Sequence, residues 1–151
     1  MKLVAVIGGA SAPAGFLDAA RRVGAALALE GYGIVCGGLG GVMAAVCQGA
    51  RESGGITIGI LPGVDPKDAN PFVDVAIPTG TGSARNRAVV LSGFAVCAFD
   101  GGYGTLSEIA FALQAERPVC AMGAWSEIPG VTPVATVDEV LEFVLNAERN
   151  R

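Results

Sequence analysis

Histidine is absent from this 151-residue chain, and lysine occurs only at Lys2 and Lys67. The missing imidazoles remove the commonest metal ligand and the usual neutral-pH proton carrier. The eight arginines are scattered, so no basic run exists, and a net charge of −4 with pI near 4.7 argues against a nucleic-acid partner. No two of the four cysteines (36, 47, 97 and 120) have CxxC spacing. Each stands among apolar neighbours, as buried free thiols do, so neither a metal site nor a disulfide is expected and a reducing cytoplasmic compartment is. Long hydrophobic runs are missing too. No stretch approaches a membrane span, and the apolar run Leu3–Ile7 in MKLVAVIGGASA is too short for a signal peptide. It reads as a strand entering a glycine turn.

What is present is apolar: 52% hydrophobic residues against 16% charged. A chain this small has limited interior, so both faces of a sheet and a subunit interface are the expected places to bury them. Apolar runs predict strands at 3–7, 33–36, 56–61, 73–77, 95–99 and 119–122. Helical spacing predicts helices at 14–30, 42–51, 83–91, 105–115 and 137–147, with Gly31 closing the first and Ser83 capping the third. The segments 65–71 and 123–133 read as irregular, and the tail from Glu148 to Arg151 as frayed. Strand and helix alternate, and the strands are continuous apolar runs. That pattern predicts a doubly wound, mainly parallel α/β sheet, Rossmann-like, in one domain over 1–151.

Three glycine clusters follow three of these strands: GGAS at 8–11, GGLGG at 37–41 and GGYGT at 101–105. In an open parallel sheet the carboxyl ends of all strands share one edge, so the clusters can converge. Each precedes a helix whose first amides lack partners and attract anions. Gly9 and Ser11, then Gly38, Gly40 and Gly41, then Gly101, Gly102, Tyr103, Gly104 and Thr105 are therefore the expected contacts of a small phosphorylated ligand. No GxGxxG followed by an acid is present, and no GxxxxGK[ST], which removes the dinucleotide and P-loop readings.

Thr105-Leu106-Ser107-Glu108 has capping-box spacing, which would set Glu108 back on the Thr105 amide and contribute about 0.5–2 kcal/mol. Spacing alone favours this cap. The alternative projects Glu108 one turn, about 5.4 Å, beyond a phosphate held at Thr105, where a carboxylate meets a sugar or a water. Arg85 and Arg87 stand about 200° apart on a helix, so at most one faces the same edge.

The residues from Arg85 to Glu108 resemble the signature of the LOG-like ("Lonely guy") family, PGGxGTxxE, with an arginine sixteen positions before the first motif glycine. GGLGGVM at 37–43 is similar to that family's second glycine loop, and the resemblance runs from about Val4 to Val119. It implies a Rossmann-like homodimer that binds a nucleoside 5′-monophosphate, with no cofactor required. In cytokinin-activating members the arginine and glutamate, here Arg85 and Glu108, are catalytic in releasing the base from ribose 5-phosphate. A second branch, the molybdenum cofactor carrier proteins, binds a molybdopterin instead. The run SARNRAVVLSGFAVCAFDGGYGTLSEIAFAL is more similar to that branch, and adds Asn86 to the ligand-binding set. The chain departs from the enzymes at three positions: Asn86 replaces a lysine, Ser83 a histidine, and Asp100 the motif proline, which would place a negative charge beside the phosphate.

Overall fold

The computed structural model describes all 151 residues. Seven strands are assigned: β1 (Leu3–Gly8), β2 (Gly33–Cys36), β3 (Thr57–Leu61), β4 (Val75–Pro78), β5 (Val96–Phe99), β6 (Val119–Met122) and β7 (Val131–Pro133). Five helices alternate with them: α1 (Ala14–Leu29), α2 (Val42–Glu52), α3 (Arg85–Ser92), α4 (Tyr103–Gln114) and α5 (Val137–Arg149). All seven strands pair in parallel in the order β4-β3-β2-β1-β5-β6-β7. The chain winds outward from β1 to β4, then returns to lay β5 against the other side of β1. The switch point between β1 and β5 opens a crevice at their carboxyl ends, the place where such sheets hold ligands.

Each face of the sheet has its own core, as alternation along a strand requires. Val4, Val6, Cys97 and Phe99 meet α1, α2 and α5, while Ala5, Ile7, Val96 and Ala98 meet α3 and α4. All four cysteines are free and buried. Helices α1 and α2 cross closely because glycines meet carbonyls there: a Cβ on Gly49 would lie 1.8 Å from the Arg21 oxygen. No helix is long and apolar enough to cross a membrane.

Several local expectations are corrected. Residues 123–133 contain β7, a three-residue edge strand too short for a periodic signal. Ser83 lies in a 3-10 turn (Gly82–Ala84), and α3 begins after it without a side-chain cap. Helix α4 starts two residues early, at Tyr103. The tail is tied, since the Glu148 carboxylate accepts from both Lys2 and Tyr32.

Just beyond α4 and its capping residue Ala115, Glu116 stands at φ 57, where its N–H donates to the Leu113 carbonyl and that of Arg117 to Ala112. A side chain in this left-handed position is strained, and glycine is the residue that suits it. Glu116→Gly is expected to stabilise the fold by about 1 kcal/mol, read as a raised urea midpoint with an unchanged slope.

Candidate functional site

The three glycine turns do converge. A cavity of about 230 Å³ opens over the β1–β5 switch point. Gly8, Gly9 and Ala10 line it from the first turn, Gly37 and Leu39 from the second, and Gly102, Gly104 and Thr105 from the third. Arg85, Asn86 and Glu108 complete it with Ile7 and Met43. A larger cleft of about 750 Å³ lies at the opposite edge, among the chain ends and the carboxyl ends of helices. Of its cations, Lys2 pairs with Glu148, Arg151 sits 5.1 Å over the Phe94 ring, and Arg117 donates to the Leu91 carbonyl at 3.3 Å while its buried Nε has no partner. Only the smaller cavity brings glycine turns, a helix amino terminus and ionisable side chains together.

The third turn supplies the donors. No backbone carbonyl accepts from the N–H groups of Gly102, Tyr103, Gly104 or Thr105, so the positive end of α4 is open. A Cβ on Gly102 or Gly104 would meet nothing within 4 Å, which leaves free approach to these amides. Gly101 serves the backbone instead: its φ is 105, and a Cβ would meet Thr105 Oγ1 at 2.1 Å. The ring of Tyr103 is 85% exposed and leans on Trp125 outside the cavity, with centroids 6.5 Å apart.

In the other two turns the expected residues divide between lining and support. Gly9 lines the cavity, whereas Ser11 is exposed and does not. Gly38, Gly40 and Gly41 are not in the lining. Gly41 seats the second turn on the first, for its Cβ would lie 2.2 Å from the Gly9 oxygen, which accepts from Val42 N–H. Asn70, in a segment read only as a loop, holds this turn by donating to the Leu39 carbonyl and through its own N–H to Gly38.

The capping box does not form. With Gly102 in the capping position, Thr105 falls inside α4 and no side chain caps the helix. Glu108 is thereby released from the role that its spacing favours. It is 8% exposed, lines the cavity and makes no hydrogen bond or ion pair within the chain. Burial raises its carboxyl from the ordinary 4.5 to about 8, with the Arg85 charge opposing the rise. At neutral pH it is mostly protonated.

Arg85 is the arginine that faces the cavity. Its Nε donates to the Ile60 carbonyl at 2.9 Å, and its terminal nitrogens to Gly37 O at 3.5 Å and to Asn86 Oδ1. Asn86, 5% exposed, passes the chain of bonds on to Ser107 Oγ at 3.2 Å. No carboxylate pairs with Arg85, so its charge is available to an anion. Arg87 points away and stacks over Phe111 at 5.9 Å. Asp100 lies outside the cavity lining, and its carboxylate accepts from Ala124 N–H at 3.4 Å.

Comparison with known proteins follows the same outline. The model of the SLOG cluster4 family matches residues 1–148. The molybdenum cofactor binding protein of Rippkaea orientalis superposes with a TM-score of 0.90 at 34% identity, over 96% of both chains. The Moco carrier protein of Chlamydomonas reinhardtii also gives 0.90, at 31% identity over 99% of both. A cytokinin riboside 5′-monophosphate phosphoribohydrolase of Mycobacterium tuberculosis is 33% identical over 76% of this chain and 66% of its own length.

Proposed function

The chain belongs to the SLOG cluster4 family, near the molybdenum cofactor carrier branch of the LOG-like Rossmann proteins, and on that premise we propose that it binds a phosphorylated, nucleotide-type ligand in the glycine-lined cavity. One observation carries the reading. Glu108, an acid with no partner in the protein, and Arg85, a cation with no counter-ion, face one cavity at the open amino terminus of α4. A buried carboxyl without a hydrogen-bond partner and a half-buried cation without a counter-ion are both costly, and a ligand that brings both a phosphate and hydrogen-bonding hydroxyls or ring atoms answers both. In this reading the Gly102–Thr105 amides and the Arg85 guanidinium hold the phosphate.

The chemistry such a site would perform on a nucleoside 5′-monophosphate is hydrolysis of the base–sugar bond. Water adds to the anomeric carbon, the base leaves with a proton, and ribose 5-phosphate remains. Ionised Glu108 would orient the water and stabilise the cationic sugar. Because the carboxyl titrates near 8, turnover by this route should climb as pH rises toward 8.

A second reading, storage of a molybdopterin as cargo without turnover, has its own support. The two carrier-type structures match over nearly the whole chain, and Asn86 occupies one arm of the Arg85 fork. Mass spectrometry of the protein purified from its native cells should release a phosphorylated heterocycle, a nucleoside monophosphate under the first reading and a pterin under the second. A preparation that carries neither, and that binds neither phosphate nor AMP, would remove both.

We further place a homodimer on the α3–α4 face. Leu91 on α3 is 39% exposed, and Phe111 on α4 is only half-buried. Light scattering at micromolar concentration is expected to return twice the 15.1 kDa of one chain. A monomer would overturn the assignment.

A further inference from the structure

Resting on the reading that the Gly102–Thr105 turn captures phosphate, we propose that Trp125 is a positioning residue for that turn: its indole N–H fixes the Gly101–Gly102 peptide so that the Gly102 N–H is presented to the ligand.

Three hydrogen bonds and a ring contact join the turn to the last residue of β6 and the segment that follows it. Asp100 N–H donates to the Met122 carbonyl at 2.9 Å. Ala124 N–H donates to Asp100 Oδ1 at 3.4 Å. Trp125 Nε1–H donates to the Gly101 carbonyl at 3.0 Å, and its ring rests beside Tyr103. Both anchoring residues carry backbone strain, Asp100 at φ 51 and Trp125 at φ 69. A bulky aromatic residue in the left-handed region persists only where its surroundings hold it.

The consequence follows from peptide geometry. The Gly101 carbonyl and the Gly102 N–H belong to one planar trans unit and point in opposite directions. With the oxygen turned to the indole, the N–H is turned away from Trp125, which lies outside the cavity, and Gly102 is in the cavity lining. Glycine at 101 and 102 has little intrinsic preference for this orientation, so the peptide could rotate freely without the indole. The same bond makes Trp125, the single tryptophan of the chain, a built-in fluorescent reporter of the turn.

Trp125→Phe keeps an aromatic ring beside Tyr103 and removes the donor together with part of the indole's ring surface. Amide hydrogen exchange, phosphate titration by calorimetry and thermal unfolding should be compared with wild type. Losing this bond is expected to speed exchange about tenfold at Asp100 and Leu106, the turn amides that donate to the Met122 and Gly102 carbonyls, and to weaken inorganic phosphate binding by a similar factor. The melting temperature should move little. Unchanged exchange at the turn, or a uniform rise through β6 and α4 matched by a lower melting temperature, would overturn the positioning role. If wild type binds neither phosphate nor AMP, the phosphate reading falls, while the exchange contrast still decides whether Trp125 pins the turn. Should Trp125→Phe fail to fold, replacing the tryptophan with β-(3-benzothienyl)alanine keeps the bicyclic shape without the N–H, and the same outcomes apply.

Discussion

Glu108→Gln should make the protein more stable at pH 9 and leave its stability near pH 5 almost unchanged. The sign follows from the raised titration of the buried carboxyl, from the ordinary 4.5 to about 8. Between these values the folded state binds the proton more tightly than the unfolded chain. The stabilisation is therefore complete below about 4.5, declines as pH rises, and is gone above about 8. A shift of that size corresponds to a loss on the order of 5 kcal/mol. Glutamine has the shape of the protonated acid and does not ionise, so its curve should lack this decline. Urea unfolding of both proteins at pH 5 and pH 9 measures the difference, and parallel curves would show that Glu108 titrates normally. The same variant addresses chemistry. If base release from AMP occurs, Glu108→Gln should slow it about 10²–10⁴-fold while phosphate binding survives. Wild type with no release from any of several nucleoside monophosphates, even near pH 8, would favour the carrier reading.

Arg85→Ala is expected to weaken inorganic phosphate and AMP alike, by roughly 10- to 100-fold, since a hydrogen-bonded charge of this kind contributes about 1.5–3 kcal/mol. The reason is positional: Arg85 is the cation in the cavity lining, and the Ile60 and Gly37 carbonyls hold its side chain there. Its charge is also what restrains the upward shift of Glu108. Removing it should push that carboxyl still higher, visible by carboxyl-carbon NMR. Arg87→Ala is the control, because Arg87 is exposed over Phe111 and should leave both affinities intact. Calorimetry that found equal losses for the two variants would mean general electrostatic attraction and no built site.

These two side chains also mark where the sequence stops being informative. The alternation of apolar runs with helical spacing determined the parallel α/β architecture by itself, because strand and helix periodicity are local properties and continuous runs demand a sheet covered on both faces. Glycine clusters after three strands determined, with that topology, that a candidate site would lie on the carboxyl edge. Tertiary structure decided the rest. Spacing showed that one arginine at most could face the crevice, and a carbonyl 25 residues away, at Ile60, selected Arg85. The Thr105–Glu108 spacing pointed to a cap, and an early start of α4 at Tyr103 turned Glu108 into an unpartnered buried acid. The Asp100 carboxylate accepts from Ala124, 24 residues on, and stands outside the cavity lining, which its place beside the glycine turn does not reveal. Asn70 and Trp125 carried no motif at all, for their work is done on turns 31 and 24 residues distant. Periodicity records what each residue does to its own segment. Burial, charge partnership and the aim of a peptide depend on contacts between segments, and those exist only once the sheet has formed.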